Sequence, residues 1–150
     1  MTINVGDRLP DVTLHEMTGD GPQARTAQEL FSGKKVVLFA LPGAFTPTCS
    51  SKHVPDFVQR APELAAKGVD SIVCLSVNDA FVMGAWGADR KVGDAVRMIA
   101  DGSADFTKAV GLEMDGSNFG MGIRSQRYAA VIEDGVVTHL AVEAPMKFEV

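Results

Sequence analysis

Cys49 is the residue of this sequence best suited to nucleophilic chemistry. It lies between an apolar run that ends at Leu41 and a stretch with helical spacing that begins after Pro47. A thiol in the first turn of a helix faces unpaired backbone N–H groups and the positive end of the helix dipole. Both favour the reactive thiolate and lower the thiol pKa from about 8.5 to roughly 3.5–7.5. We therefore expect Cys49 to be a reactive thiol and not a buried core residue.

The neighbours of Cys49 favour a polar pocket over a packed interior. Thr46 places a hydroxyl three positions before the sulfur, and Pro42 and Pro47 stiffen the connecting loop. Three further hydroxyl side chains flank the thiol in the sequence: Thr48, Ser50 and Ser51. This setting predicts a solvent-accessible pocket around the sulfur.

Several apolar runs predict the strands that must position this loop. Residues 34–41 end in six consecutive apolar side chains, which is typical of a strand buried on both faces of a sheet. Residues 71–77 and 96–100 predict two more buried strands, and residues 11–15 predict a strand near the N-terminus. Residues 126–142 predict a closing β-hairpin, because a Gly-containing turn separates two apolar runs.

Helices are predicted between these strands. One starts near Thr46 or Thr48, either of which can cap it, and a second covers residues 79–90 with Asn78 as its cap. A short third helix is predicted over residues 103–111. The apolar set of the second helix is Phe81, Val82, Ala85 and Trp86. Strands that alternate with helices and close in a hairpin predict an α/β sandwich with a mixed sheet.

The composition predicts a single globular domain over residues 1–150. Hydrophobic residues make up 46% of the chain and charged residues 22%, and the net charge of -5 argues against nucleic acid as a partner. The apolar runs are far shorter than the roughly 20 residues that cross a bilayer. No basic segment followed by an apolar stretch marks a signal peptide at the N-terminus. We therefore expect a cytoplasmic protein without a membrane partner.

A resemblance to a known family extends over nearly the whole chain. Residues 41–50, LPGAFTPTCS, followed by KHVP at 52–55, resemble the active-site signature of type II peroxiredoxins, the peroxiredoxin-five-like subfamily. Further matching stretches occur at residues 75–83, 85–87 and 124–128. The resemblance implies a thioredoxin-like fold in its peroxiredoxin form, with a central mixed β-sheet flanked by helices. It also implies a thiol-dependent peroxidase that reduces hydrogen peroxide and alkyl hydroperoxides without a cofactor or metal.

The resemblance also implies a role for each residue of the site. Cys49 is the peroxidatic cysteine, which becomes a sulfenic acid when it attacks the peroxide. Thr46 hydrogen-bonds the thiolate and the peroxide, Pro42 shields the sulfur, and Arg124 reaches the thiolate and polarises the substrate. These roles fit the reaction, because hydrogen-bond donors and positive charge are needed where the leaving oxygen becomes negative.

Two routes for reducing the sulfenic acid stay open. The tail after Ala141 has no cysteine, so Cys74 is the chain's own candidate for a resolving thiol, at the position of the second cysteine in the plant-like branch of the family. Cys74 lies in a predicted buried strand, where thiols are usually inert. A disulfide also needs Cα atoms within about 7 Å of each other. We therefore favour an external reductant, glutathione with glutaredoxin or thioredoxin, which forms a mixed disulfide with Cys49.

Four aromatic residues have two interpretations. Phe45, Phe81, Trp86 and Phe119 would most simply lie in the core. The resemblance instead implies that aromatic residues near the active-site loops form a homodimer interface beside the pocket. An isologous dimer is therefore expected.

Alternative functions differ from a peroxidase in their turnover. A thiol–disulfide oxidoreductase on the related fold would normally carry a CxxC pair, which the sequence lacks. A redox sensor would be oxidised at Cys49 once, without cycling. His53 is favoured as a residue of the pocket rim over a general base, and residues 116–122 lack the ending of a phosphate-binding loop. The histidines and cysteines show no metal-ligand spacing.

Overall fold

A computed structural model describes residues 2–46 and 54–143 of the chain. In this part of the chain nine strands alternate with four α-helices and one short 3-10 turn. The elements are, in order, β1 (Thr13–Thr18), β2 (Gly21–Thr26), α1 (Ala27–Phe31), β3 (Lys35–Ala40), α2 (Val54–Ala66), β4 (Ser71–Ser76), α3 (Ala80–Asp89), β5 (Arg97–Ala100), α4 (Asp105–Ala109), β6 (Glu113–Asp115), the 3-10 turn (Ser117–Phe119), β7 (Ile123–Ser125), β8 (Tyr128–Glu133) and β9 (Val136–Val142).

Seven of the strands form one mixed sheet. Their order is β2-β1-β5-β4-β3-β8-β9, and β6 pairs separately with β7. Strands β3, β4 and β5 run parallel, whereas β1 and β8 join them antiparallel. Parallel neighbours require helical crossovers, which α2 and α3 supply. The predicted α/β sandwich with a central mixed sheet is confirmed.

Strand β3 lies near the middle of the sheet and separates two apolar clusters. Because side chains alternate along a strand, Val36, Leu38 and Ala40 enter one cluster and Val37 and Phe39 enter the other. Helices α1 and α4 cover the first cluster, and α2 and α3 cover the second. Burial on both faces explains the unbroken apolar run in the sequence.

The first hairpin and the helix after it were not predicted as a unit. Strand β2 carries mostly polar residues and lies at the sheet edge, so apolar periodicity does not reveal it. Helix α1 begins with a capping box in which the Thr26 hydroxyl accepts the Glu29 N–H and the Glu29 carboxylate accepts the Thr26 N–H. Leu30 and Phe31 of this helix are buried and pack into the first cluster.

The α3 helix corrects two predictions. Asp79, not Asn78, caps the helix, because its carboxylate accepts the Val82 N–H at 2.8 Å. The buried face consists of Ala80, Met83, Trp86 and Gly87, whereas Phe81 and Ala85 are exposed. The spacing of three and four residues in the buried set is the helical period, and the predicted set followed a neighbouring face.

Helix α2 packs on the sheet mainly through partly buried side chains. Val54 is its one fully buried residue among those described, and Phe57 stacks on Phe39 with ring centroids 4.1 Å apart. Pro62 lies inside the helix and has no N–H to donate to the preceding turn. The residues before Val54 that would start this helix, among them Thr48 and His53, lie outside the described residues.

The edge formed by β1, β2 and β5 carries a group of charged residues far from β3. Arg97 donates two hydrogen bonds to the Glu16 carboxylate, at 2.7 and 3.0 Å, and Arg25 donates a third at 3.2 Å. Burial tends to raise the pKa of Glu16, but these bonds and charges outweigh it and hold the pKa below its ordinary value. This group therefore ties three strands together.

Candidate active site

The loop from Leu41 to Thr46 leaves the sheet at the carboxyl end of β3. The Leu41 N–H donates to the Leu75 carbonyl on β4 at 3.3 Å, which extends the parallel pairing by one residue. Pro42 then ends the strand, since it has no N–H to give. Carboxyl ends of parallel strands are the usual position for ligands in such sheets.

A small hydrogen-bonded network fixes the path of this loop. The Ala44 N–H donates to Oδ1 of Asn78 at 3.0 Å. The Ser76 hydroxyl donates to the same oxygen at 2.6 Å, and Ser76 is fully buried at the end of β4. The loop is thus tied to the neighbouring parallel strand as well as to its own.

Thr46 is anchored within the loop. Its hydroxyl donates to the Gly43 carbonyl at 2.7 Å, so its oxygen lone pairs stay available as acceptors. Cys49 follows three residues later and lies outside the described residues. The described part of this loop is therefore the stretch from Leu41 to Thr46, which precedes the thiol in the sequence.

Arg124 reaches the loop from the small β6–β7 sheet. Its Nε donates to the Met121 carbonyl at 3.0 Å, and its Nη1 donates to the Pro42 carbonyl at 3.3 Å. A Cβ on Gly43 would lie only 2.8 Å from Arg124 Nη1 and 3.3 Å from Thr46 Cγ2. Glycine at this position therefore allows the guanidinium and the loop to meet, and Pro42, Thr46 and Arg124 come together around it.

Arg127 is a second arginine at this edge, and sequence reasoning gave it no role. It lies one residue before Tyr128, which pairs with Ala40, so Arg127 stands beside the exit from β3. Its side chain is only 9% exposed, and its Nε lies 3.6 Å from a Glu143 carboxylate oxygen that is itself buried. A buried charge is costly unless it is paired, so a guanidinium kept here is a candidate for function.

Strand alternation shows which side Arg127 faces. Tyr128 belongs to the cluster under α1 and α4, and Ala129 packs against the cluster under α2 and α3. Arg127 shares the face of Ala129, which is the face that α2 covers. The sequence carries a signal for this, because Arg127 comes directly before an apolar strand in which alternate residues are buried.

Tyr128 is buried next to this arginine but on the opposite face. Burial, together with the negative charge of Asp101, raises the pKa of the Tyr128 phenol. The phenol therefore stays protonated at neutral pH. It belongs to the core and not to the site.

Cys74 lies within the second apolar cluster. It is fully buried on β4, with Phe39 and Met98 as its neighbours on the adjoining strands. The α2 helix and its stacked Phe57 pack over this side of the sheet. Cys49 lies outside the described residues, so the resolving role of Cys74 stays a prediction.

Three of the four aromatic residues assigned to the core lie on the surface. Phe45, Phe81 and Phe119 are 52%, 65% and 75% exposed, whereas Trp86 is fully buried. The Phe45 ring lies 6.3 Å from the Trp86 ring. The interpretation as core is therefore wrong for these three phenylalanines, which project from elements that border the active-site loop.

No group of three or more His, Cys, Asp or Glu side chains in residues 2–46 and 54–143 is arranged to hold a metal ion. Over the same residues, no helix combines the length and apolar character needed to cross a bilayer.

Known proteins match this chain along nearly its whole length. The pattern of the redoxin family matches residues 4–149. Peroxiredoxin-2E-2, a chloroplastic protein of Oryza sativa subsp. japonica, is 54% identical over 147 residues, which are 95% of this chain and 65% of the rice protein. The chain thus spans just under two thirds of that relative. Peroxiredoxin-2B of Arabidopsis thaliana is 48% identical over 149 residues, which cover 99% of this chain and 92% of that protein.

The fold matches as well. The crystal structure of reduced Prx3 in complex with H2O2 from Vibrio vulnificus has a TM-score of 0.95 and 55% sequence identity, and the match covers 99% of this chain and 92% of that one. Pro42 and Thr46 lie in the loop that leaves the carboxyl end of β3, a central strand of a thioredoxin-like sheet. This chain therefore belongs to the redoxin family and, within it, to the type II peroxiredoxins.

Proposed function

We propose that this chain reduces hydrogen peroxide and alkyl hydroperoxides through a thiolate at Cys49. The observation that supports this most strongly is the meeting of Pro42, Thr46 and Arg124 around Gly43, in a loop where Thr46 is three and Pro42 seven residues ahead of the thiol. These side chains supply a hydroxyl, a shield and a positive charge at one edge of the sheet. Such a set suits a reaction in which negative charge moves from sulfur to oxygen.

The reaction is a displacement at oxygen. The Cys49 thiolate attacks the terminal oxygen of the hydroperoxide, so an S–O bond forms as the O–O bond breaks. The electron pair of the O–O bond leaves with the other oxygen as hydroxide or alkoxide, which takes up a proton to give water or an alcohol. Cys49 is left as a sulfenic acid, oxidised by two electrons, and the peroxide is reduced by two.

Arg124 and Arg127 have different electrostatic roles in this proposal. Arg124 lies at the rim, where it braces the loop through the Pro42 carbonyl and polarises the incoming peroxide. Arg127 supplies a buried positive charge on the sheet face that α2 covers, where a low dielectric makes each charge more effective. The Thr46 oxygen accepts a hydrogen bond from the peroxide O–H while its own proton is held by the Gly43 carbonyl, and the hydroxyl can donate to the thiolate when it rotates away from that carbonyl.

An external thiol closes the cycle. A thiol RSH displaces water from the sulfenic acid to give a Cys49–S–S–R mixed disulfide, and a second thiol releases Cys49 with formation of a new disulfide. Glutathione with glutaredoxin, or thioredoxin, would serve as the reductant in the cytoplasm, where thiols are kept reduced. The complete burial of Cys74 supports this route over an internal disulfide.

A homodimer is part of the proposal. The exposed phenylalanines 45, 81 and 119 leave large apolar side chains in water, and such surfaces commonly mark protein interfaces. A two-fold dimer would cover them beside both sites. Phe81→Lys should shift the chain from dimer to monomer in sedimentation velocity, and an unchanged sedimentation coefficient would contradict this interface.

Three measurements test the chemistry: hydroperoxide consumption by cysteine variants, turnover with added thiol, and intact mass after oxidation. Cys49→Ser should abolish hydroperoxide consumption, while the matched Cys74→Ala variant should retain most of it with a glutaredoxin system; alanine avoids burying a hydroxyl in the apolar cluster. Repeated turnover with added thiol would separate a peroxidase from a sensor, which is oxidised once. The intact mass after one equivalent of peroxide decides the route, since an added oxygen means a sulfenic acid and a loss of two hydrogens means an internal disulfide. Full activity in Cys49→Ser would overturn the proposal.

A further inference from the structure

We propose that Asn78 is the positioning residue that fixes the active-site loop, an inference that rests on the proposed peroxidase function. Its side chain lies outside the helix cap that sequence reasoning gave it, because Asp79 fills that position. It turns instead to the loop between β3 and Cys49, where Oδ1 accepts the Ala44 N–H at 3.0 Å. Asn78 touches no reacting atom among the described residues, so its effect on chemistry passes through the loop.

The chemistry of the donors fixes the orientation of the Asn78 amide. The backbone N–H of Ala44 can only donate, so the Asn78 atom that faces it must be the oxygen. The hydroxyl of Ser76 has one proton, and its distance of 2.6 Å to Asn78 Oδ1 is far shorter than its 3.5 Å to the Leu41 carbonyl. Both bonds therefore converge on a single acceptor.

This acceptor connects two parallel strands at the point where the site begins. Ser76 ends β4 and is fully buried, so it is a rigid support. Ala44 stands two residues before Thr46, whose hydroxyl folds back on Gly43. Without Asn78, the Ala44 N–H would lose its side-chain acceptor, and the described part of the loop after Leu41 would lose its hydrogen bond to the Asn78–Ser76 pair at the end of β4.

The reaction of the Cys49 thiolate with a peroxide should be sensitive to the loss of the Asn78–Ala44 hydrogen bond. Reacting groups must be held within a fraction of an ångström, and a misplacement of about 1 Å can cost on the order of 100-fold in rate. The loop also sets where the hydroxyl of Thr46 points. A loosened loop should therefore both slow the reaction and raise the pKa of the thiol, since the groups that favour the thiolate become less well placed.

Asp79 provides a matched control next to Asn78. Asn78→Ala removes one side-chain acceptor from the Ala44 N–H of the loop, and Asp79→Ala removes one from the Val82 N–H of α3. Both truncate a polar residue of similar size at adjacent positions. A purely structural role predicts similar effects for the two, whereas a positioning role predicts a difference in chemistry.

The experiment uses the full chain in a Cys74→Ala background, so that alkylation reports on Cys49. The rate constant with hydrogen peroxide is followed through the fluorescence of Trp86, the single tryptophan of the chain, whose ring lies 6.3 Å from that of Phe45 on the loop. The thiol pKa comes from the pH dependence of iodoacetamide alkylation. Thermal unfolding gives the stability of each variant.

Asn78→Ala should slow the peroxide reaction by about 10- to 100-fold and raise the thiol pKa, with a loss of stability similar to that of Asp79→Ala. Asp79→Ala should keep the parent rate. Asn78→Asp keeps an acceptor for the Ala44 N–H and should recover most of the rate at pH 8, and it serves as the main test if the alanine variant does not fold. Parent-like rate and thiol pKa in Asn78→Ala, or no recovery in Asn78→Asp at pH 8, would overturn the proposal.

Failure of the proposed function gives a different result. If the parent chain consumes no peroxide, the peroxidase proposal fails by itself. The alkylation pKa of Cys49 and the Trp86 fluorescence still show whether Asn78 holds the loop.

Discussion

Arg124 and Arg127 are separated by two residues, yet the protein holds them in opposite ways. Arg124 is half-buried, and its guanidinium donates to the backbone carbonyls of Met121 and Pro42. Arg127 is almost fully buried and lies against the Glu143 carboxylate. Backbone carbonyls carry no net charge, so Arg124 keeps its full positive charge near solvent, whereas Arg127 has a counter-charge in a low dielectric. The difference suggests that Arg124 holds the active-site loop in place, whereas Arg127 contributes to the electrostatic potential on the buried side of that loop.

Removing the buried charge should have the larger effect. Arg127→Gln should slow the peroxide reaction by about 100- to 1000-fold, as loss of a donor from a dry site commonly does. It should also lower the free energy of unfolding by about 3–5 kcal/mol, because Glu143 is left buried without its counter-charge. Stopped-flow kinetics and urea denaturation measure the two effects.

A double variant separates these two effects. Arg127→Met combined with Glu143→Gln removes both charges, so stability should return toward that of the parent while the rate stays low. Recovery of the rate in the double variant would show that Arg127 serves stability alone.

Removing the rim charge should have a smaller effect. Arg124→Gln should slow the reaction about tenfold, which corresponds to about 1.4 kcal/mol of activation free energy. Its unfolding free energy should change by less than about 1 kcal/mol, since solvent reaches the site. Arg124→Lys keeps the charge but cannot bridge the two carbonyls, so it measures how much of the loss comes from bracing. A larger loss in Arg124→Gln than in Arg127→Gln would reverse the assignment.

The Glu16 group provides an arginine–carboxylate set that should matter only for stability. Glu16→Gln should leave the peroxide rate unchanged and cost about 1–2 kcal/mol of stability at pH 7, since charged hydrogen bonds to Arg97 and Arg25 are lost. The pKa of Glu16 is lowered on folding, so its contribution is present above the ordinary value of 4.5 and is lost as pH falls through the lower folded value. The stability gap between variant and parent should therefore stay constant from pH 7 down to the ordinary value and narrow as the pH falls below 4.5. A gap that does not narrow in acid would contradict the electrostatic origin.

The sequence predicted the central part of the fold well, because both-face burial leaves a clear trace. The run ending at Leu41 and the run at residues 71–77 correspond to β3 and β4 within a residue or so at each end. The polar edge strand β2 left no such trace, since its residues face solvent. Aromatic side chains such as Phe81 have two interpretations from the sequence, core or interface, because hydrophobicity alone does not distinguish the two.

The candidate site was predictable in its residue types but not in its contacts. A loop of Pro, Thr and Cys after a buried strand indicated the chemistry, and Arg124 came only from the family resemblance. The roles of Arg127 and Asn78 depend on strand register and on which of two adjacent residues caps a helix, and tertiary packing decides both. A single residue's offset exchanges the two faces of a strand, so such details lie beyond what local sequence patterns specify.

The packing of α2 through mostly partly buried side chains has a consequence for how the protein moves. A helix with one fully buried described residue and an internal proline opens at a lower free-energy cost than the sheet it covers. Its backbone amides should therefore exchange with deuterium well before those of β3 and β4. In the proposed cycle, opening of α2 would give a protein reductant access to this side of the molecule while the seven-stranded sheet stays folded.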